Sequence, residues 1–217
     1  MERIIGIVAG GPKSHLPTLT QYESQVTTWI GVDRGAFYLI EKGISPNIAI
    51  GDFDSVSESE QNRIMSHASE YLAYPIEKDE TDLELAVEKA VSLQPDSILF
   101  FGVTGGRLDH SLANVQLLMT LWKRDIPSKM VDAGNVLEIK GPGKHIIEKD
   151  DNHPNVSFIP FTEQVIGISL DGFYYKLTNR TISWGSTLCI SNKLISEKGT
   201  FSFKEGILIV IKSRDVQ

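Results

Sequence analysis

Cysteine is nearly missing from this chain: its 217 residues include one, Cys189. No disulfide can form within it, and no thiolate metal cage can be built. The setting of that cysteine, Ser186-Thr-Leu-Cys-Ile-Ser191, alternates like a strand, which predicts an inert buried thiol. Clusters of lysine and arginine are also lacking, and the formal net charge is -7. Both facts argue against a nucleic-acid-binding or anionic-membrane surface, although an acidic protein can still take polyphosphates if metal ions carry the charge across. No apolar run approaches the roughly 20 residues of a membrane span. The start, Met1-Glu-Arg-Ile-Ile-Gly-Ile-Val8, has neither the basic opening nor the long apolar core of a signal peptide, so a reducing cytoplasm is the expected compartment. There is no G-x-x-x-x-G-K-[ST] loop, no protein-kinase motif set, no internal repeat and no low-complexity tract.

What the chain does have is a series of short apolar runs ending in polar turns. Ile4 to Ala9 runs into Gly10-Gly11-Pro12, and Thr27 to Val32 ends in Asp33-Arg34-Gly35-Ala36. Phe37, Leu39, Ile40 and Gly43 suggest a short helix closed by a C′ glycine. Ile48 to Gly51 then stops abruptly at Asp52-Phe53-Asp54. Ser57 and Glu60 have the form of a capping box, predicting a helix to about Ser66, and Thr81 with Glu84 repeats it. Tyr71 to Pro75 reads as a strand. Leu83, Ala86, Val87, Ala90 and Val91 share one helix face. Ser97 to Val103 leads into Thr104-Gly-Gly-Arg-Leu-Asp-His110 and a helix with Leu112, Val115, Met119 and Trp122 on one side; Ser128 to Val131 is one more strand.

Strand alternating with helix predicts a doubly wound, mostly parallel sheet in a three-layer α/β/α domain over residues 1–132. Beyond it the helical period disappears. Short runs punctuated by turns such as Thr178-Asn179-Arg180, with Tyr174 to Leu177 and Thr187 to Ser191 among the strands, predict a smaller all-β sandwich or barrel over 133–217.

Four predicted strand ends carry acids: Asp33, the pair Asp52 and Asp54, Asp79 with Asp82, and Asp109. In a parallel sheet the carboxyl ends share one edge, where open α/β folds bind ligands. Asp52 and Asp54 are costly neighbours unless a cation lies between them. Hard oxygen ligands suit Mg²⁺, which completes its shell with water and phosphates, so phosphoryl-type transfer is the expected chemistry. Gly105 and Gly106 between strand and helix could cradle a phosphate, with Arg107 as a positive fork. Each acid alone could be an ordinary turn or cap residue; four on one edge carry the inference.

The ordered series Val32-Asp-Arg-Gly-Ala36, Ile50-Gly-Asp-Phe-Asp-Ser55, Lys78-Asp-Glu-Thr-Asp82 and Gly105-Gly-Arg-Leu-Asp-His110 resembles the thiamine pyrophosphokinase family. That resemblance implies Mg²⁺-dependent transfer of the pyrophosphoryl group of ATP to the hydroxyl of thiamine, giving thiamine diphosphate and AMP. It implies Asp52, Asp54 and Asp82 as Mg²⁺ ligands. Asp33, Arg34, Gly35, Lys78, Asp79, Thr81, Gly105, Gly106, Arg107 and His110 would line the nucleotide and phosphate site, with Asp109 near the attacking alcohol as a proton acceptor. It further implies a homodimer with the site between subunits, where Ser191 and Asn192 would face thiamine from the partner chain. Animal-type members stack a tryptophan on thiamine near the C-terminus; Ile209 stands there in this chain. Tyr175 and Trp184 are the substitutes to weigh, and both are expected to be strand-packing residues. Two rival readings are a haloacid-dehalogenase-type phosphatase with Asp52 as nucleophile, suggested by the Asp-x-Asp start, and a non-catalytic thiamine- or nucleotide-binding regulator.

Overall fold

The computed structural model describes residues 2–215 and divides into two compact units, one ending at Ala133 and the next starting at Gly134. In the first unit, strands β1 (Ile4–Val8), β2 (Thr28–Val32), β3 (Ile48–Gly51), β4 (Glu70–Ala73), β5 (Ser97–Phe101) and β6 (Ser128–Val131) lie in the order β4-β3-β2-β1-β5-β6, every pair parallel. The central strands are buried along nearly their whole length, as continuous runs of Ile, Val and Phe require when helices cover both faces.

Helices α1 (Arg34–Glu41), α2 (Glu58–His67), α3 (Asp82–Ser92) and α4 (Leu108–Trp122) supply the cover. α1 and α2 share the buried cluster of Ala36, Ile40 and Ile64 and so lie on one face; the right-handed rule for parallel crossovers assigns α3 and α4 to the other. Two single 3₁₀ turns, Lys13–His15 and Leu19–Tyr22, replace a helix between β1 and β2. The sheet winds outward from β1 in one direction and from β5 in the other, so the crevice between those two strand ends is the topological switch point.

Both capping boxes form with reciprocal bonds, Ser57 with Glu60 and Thr81 with Glu84, each fixing where a helix begins at a gain of about 1 kcal/mol. The α4 face differs from expectation. Leu118 and Leu121 are buried, whereas Leu112 is 58% exposed. Apolar residues lie nearly all round this helix, so periodicity alone could not choose the side that packs.

In the second unit, β7 (Asn135–Lys140), β13 (Leu208–Ser213) and β9 (Asn155–Pro160) pair antiparallel with β13 central. β11 (Leu177–Ser183), β10 (Gln164–Asp171), β12 (Lys198–Phe203) and β8 (Gly143–Glu148) form a second antiparallel group. Phe158, Val165, Ile168, Leu170, Phe173, Phe201 and Val210 fill the core between them, which makes the unit a sandwich. Three sequence expectations fail here. Tyr174 to Leu177 is not a strand: residues 174–176 are bends and irregular backbone, with Tyr174 and Tyr175 exposed, and β11 begins only at Leu177. Thr178-Asn179-Arg180 lies inside β11, where irregular register and Asn179 at φ 47° absorb the turn-like residues. Residues 187–191 form a loop and not a strand, although Cys189 is buried in it, and burial pushes its thiol up to about 11. Among the described residues no helix is long and apolar enough to cross a membrane.

Candidate active site

Asp33, Asp52 and Asp82 meet at the carboxyl edge of the first unit's sheet. One carboxylate oxygen from each lies within 4.8 Å of the other two. Adjacent strands β2 and β3 deliver Asp33 and Asp52, and α3 delivers Asp82 at its first residue. Asp33 has φ 48°, and its carboxylate accepts the Phe53 N–H at 3.1 Å. Burial, opposed by that bond and aided by the charges of Asp82, Asp52 and Asp54, raises the Asp33 pKa to about 7.

The turn Asp52-Phe53-Asp54 explains why alternate acids have different fates. Phe53 adopts φ 59°, is buried, and stacks on Tyr71 with ring centroids 4.6 Å apart. It packs into a small cluster with Ala36, Ile40, Ala49 and Ile64, which anchors the turn to α1 and α2. Asp52 is thereby held inward. Asp54 is exposed, and its N–H donates to Asp52 Oδ1 at 3.0 Å. The neighbouring Asp52 charge, with some burial, pushes the Asp54 pKa up. The converged trio thus contains Asp33 where the sequence series had pointed to Asp54.

Lys78 lies beside the trio, its Nζ 2.8 Å from Asp82 Oδ1 and 3.7 Å from Asp52 Oδ2. The contact with Asp82 is an ion pair and not an aligned hydrogen bond, so buried Asp82 Oδ1 has no directed donor. At an effective dielectric of 20, each pair of ionised carboxylates 4.8 Å apart repels by roughly 3 kcal/mol, and one ammonium offsets only part of that. A set of three oxygen donors, one buried without an aligned partner, fits a hard divalent cation such as Mg²⁺.

A cleft of about 590 Å³ opens beside these acids at the switch point, lined by Gly10, Gly11, Asp33, Asp82, Gly105, Gly106, Arg107 and His110 among others. Its floor depends on close backbone approach. The Gly11 N–H donates to the Gly102 carbonyl at 2.9 Å, and a Cβ on Gly11 would come within 2.5 Å of that oxygen. Thr81 lines the cleft, and its side chain caps α3. Gly35 is buried with no room for a Cβ against the Val8 carbonyl, which makes it a packing position under the cleft. Arg34 donates to the Ser55 carbonyl and lies 3.9 Å from Glu60. Asp79 is exposed on the loop before α3.

Arg107 and Asp109 pair with each other in solvent, 2.6 Å apart. That guanidinium, with the His110 N–H, holds the Asp109 carboxyl down at about 2. Ser55, which closes the Asp52 motif, also lines the cleft, as do Tyr38 and Asn114, which lie in none of the motifs read from the sequence. Asn114 is fixed by donating to the Val103 carbonyl at 2.7 Å. Its position one and a half turns into a helix that follows a glycine loop was the available signal.

In the second unit Asn192 is buried. Its Oδ1 accepts the Tyr175 and Lys193 N–H groups, and its Nδ2 donates to the Tyr175 carbonyl. Ser191, at φ 56°, is exposed, and its N–H donates to Ser157 Oγ. Tyr175 and Trp184 are 60% and 67% exposed, so neither is a strand-packing residue.

A parallel sheet that gathers three carboxylates beside a glycine-lined cleft at its switch point defines a phosphate-handling α/β enzyme. Comparison with known proteins narrows the class. Residues 19–130 match the thiamin pyrophosphokinase catalytic domain, and residues 144–208 match the thiamin pyrophosphokinase vitamin B1 binding domain. Thiamine pyrophosphokinase of Bacillus subtilis is 50% identical over 213 residues, 98% of this chain and 100% of that protein. A crystal structure of that enzyme from the same species superposes with a TM-score of 0.92 at 49% identity, covering 99% of this chain and 100% of the other. Thiamin pyrophosphokinase from Candida albicans, at 14% identity, shares the fold with a TM-score of 0.85, covering 98% of this chain and 90% of that one. The chain belongs to the thiamin pyrophosphokinase family of enzymes. Neither the dehalogenase-type phosphatase nor the non-catalytic regulator is favoured by these matches.

Proposed function

We propose that the first unit binds ATP with Mg²⁺ at the acidic edge and passes the pyrophosphoryl group to the hydroxyl of thiamine. The observation that carries this reading is the convergence of Asp33, Asp52 and Asp82, with an oxygen lacking an aligned donor, beside the switch-point cleft. Asp33, Asp52 and Asp82 would hold Mg²⁺, with Asp54 at the rim. When bound, the ion supplies charge neutralisation for the phosphates.

The chain's own groups do the rest by position. Gly10, Gly11, Gly105 and Gly106 let backbone approach the phosphates, and Arg107 offers a planar fork to their oxygens. The thiamine oxygen forms its bond to the β-phosphorus. The bond from that phosphorus to the α,β-bridging oxygen breaks, and AMP departs with that oxygen. The hydroxyl proton needs an acceptor. Asp109, held near 2 by Arg107, is a weak base in the pair. Once Arg107 turns to a phosphate, Asp109 loses its closest cation and becomes the better acceptor, so phosphate binding and proton removal are linked through one ion pair.

The loop bearing Ser191 and Asn192 would present thiamine's binding face, with Ser191 the contacting residue and Asn192 the clamp that shapes it. Exposed apolar residues in each unit, Leu108 and Leu112 on α4 and Tyr174, Trp184 and Leu188 in the second, support a homodimer that completes the site. The cytoplasm supplies ATP and keeps Cys189 reduced. Incubation with ATP, Mg²⁺ and thiamine tests the reading. Equal amounts of AMP and thiamine diphosphate are expected, and AMP release independent of thiamine would refute it.

A further inference from the structure

Three crowded carboxylates need positive charge even before a metal arrives, and Lys78 supplies it from an unusual place. The loop before α3 turns Glu77, Asp79, Glu80 and Thr81 to solvent, yet the Lys78 side chain is folded inward and only 12% exposed. Its Nζ reaches Asp82 Oδ1 at 2.8 Å and Asp52 Oδ2 at 3.7 Å, and donates to the Pro75 carbonyl at 3.1 Å. The loop therefore places a long, flexible ammonium against two of the three acids that would ligate a cation.

We propose that Lys78 is a displaceable internal counter-cation. It occupies the acidic edge in the metal-free protein, leaves when a divalent cation enters, and is then free for a phosphate oxygen. This inference rests on the reading of Asp33, Asp52 and Asp82 as a cation site. A magnesium ion sits about 2.1 Å from a carboxylate oxygen, closer than the ammonium does. Both would claim the Asp82 carboxylate, and two cations drawn to one carboxylate repel. Asp82 Oδ1 has no aligned donor, so charge rather than direction holds Lys78 against that oxygen, while its directed hydrogen bond goes to the Pro75 carbonyl, outside the acidic trio. Lysine suits such a role, being a compact point charge on a flexible stem.

Two measurements test displacement in the whole protein with Mg²⁺ alone. The first treats the wild type with an amine-acylating reagent and quantifies the Lys78 peptide by mass spectrometry, in chelator and in Mg²⁺. Acylation of Lys78 should rise several-fold with Mg²⁺, while exposed Lys42 stays constant. Unchanged or reduced Lys78 labelling overturns the proposal. The second titrates Lys78→Met with Mg²⁺ in a calorimeter. Binding several-fold tighter than wild type is expected, and equal or weaker binding overturns it. Wild-type binding heat that vanishes in Asp82→Asn establishes the cation site. If that heat is present while Lys78 stays shielded, displacement alone fails; if the heat is missing, the site fails and displacement with it.

Discussion

Gly51 has no room for a side chain because Asp33 fills the space: a Cβ built there would overlap Asp33 Oδ1. The last residue of β3 thus leaves a gap into which the acid at the end of β2 folds, one strand away. Gly51→Ala should displace that carboxylate and strain a backbone at φ 148°. A loss of more than about a hundredfold in turnover is expected, with a stability cost of about 2 kcal/mol. Gly43→Ala is the control, since Gly43 also has positive φ (79°) but open space around it. It should cost about 1 kcal/mol in urea unfolding and leave turnover intact. Equal effects from the two variants would mean that backbone strain alone, and not the Asp33 carboxylate, explains Gly51.

The Asp33 carboxyl, raised from 3.8 to about 7, predicts a pH dependence of stability in chelator. Between those values the folded protein keeps a proton that the unfolded chain has released. The contribution of this group is therefore fully present below about pH 4 and lost as pH rises through about 7. The full shift corresponds to roughly 4 kcal/mol at most, reduced where water reaches the group. Urea unfolding of wild type and Asp33→Asn at about pH 5 and pH 8 checks this. The wild type should lose more stability than the variant over that interval, and parallel losses would contradict the assignment.

Asn192 and Ser191 are adjacent and should fail differently. Asn192→Ala strips partners from the Tyr175 N–H, the Tyr175 carbonyl and the Lys193 N–H, at a cost of about 2 to 3 kcal/mol. Ser191→Ala removes an exposed hydroxyl and should leave stability within about 0.5 kcal/mol. If this loop is the thiamine face, both variants raise the KM for thiamine while the KM for ATP holds. A change confined to the ATP constant would move thiamine elsewhere.

The parallel sheet was legible in the sequence because buried strands write themselves as unbroken apolar runs, and because Ser57 with Glu60 and Thr81 with Glu84 mark helix starts chemically. The acidic edge was legible for the same reason: strand ends are visible, and parallel ends converge. Which acids turn inward was not. Phe53 at φ 59° sends Asp52 and Asp54 to opposite environments, and no spacing rule carries that backbone sign. Lys78 folded against Asp82 was hidden likewise, since its loop reads as a solvated charge run. In the second unit, the turn-like residues of β11 and the loop at 187–191 misled in opposite directions. Polar residues on an exposed strand resemble a turn, and a loop that buries Cys189 resembles a strand.

ATP radiolabelled in its β-phosphate tests the central claim most directly. With Mg²⁺ and thiamine, the label should appear in thiamine diphosphate, with unlabelled AMP as the other product, and Asp82→Asn should abolish the transfer. Label found in ADP, or in free phosphate with no AMP formed, would contradict the account.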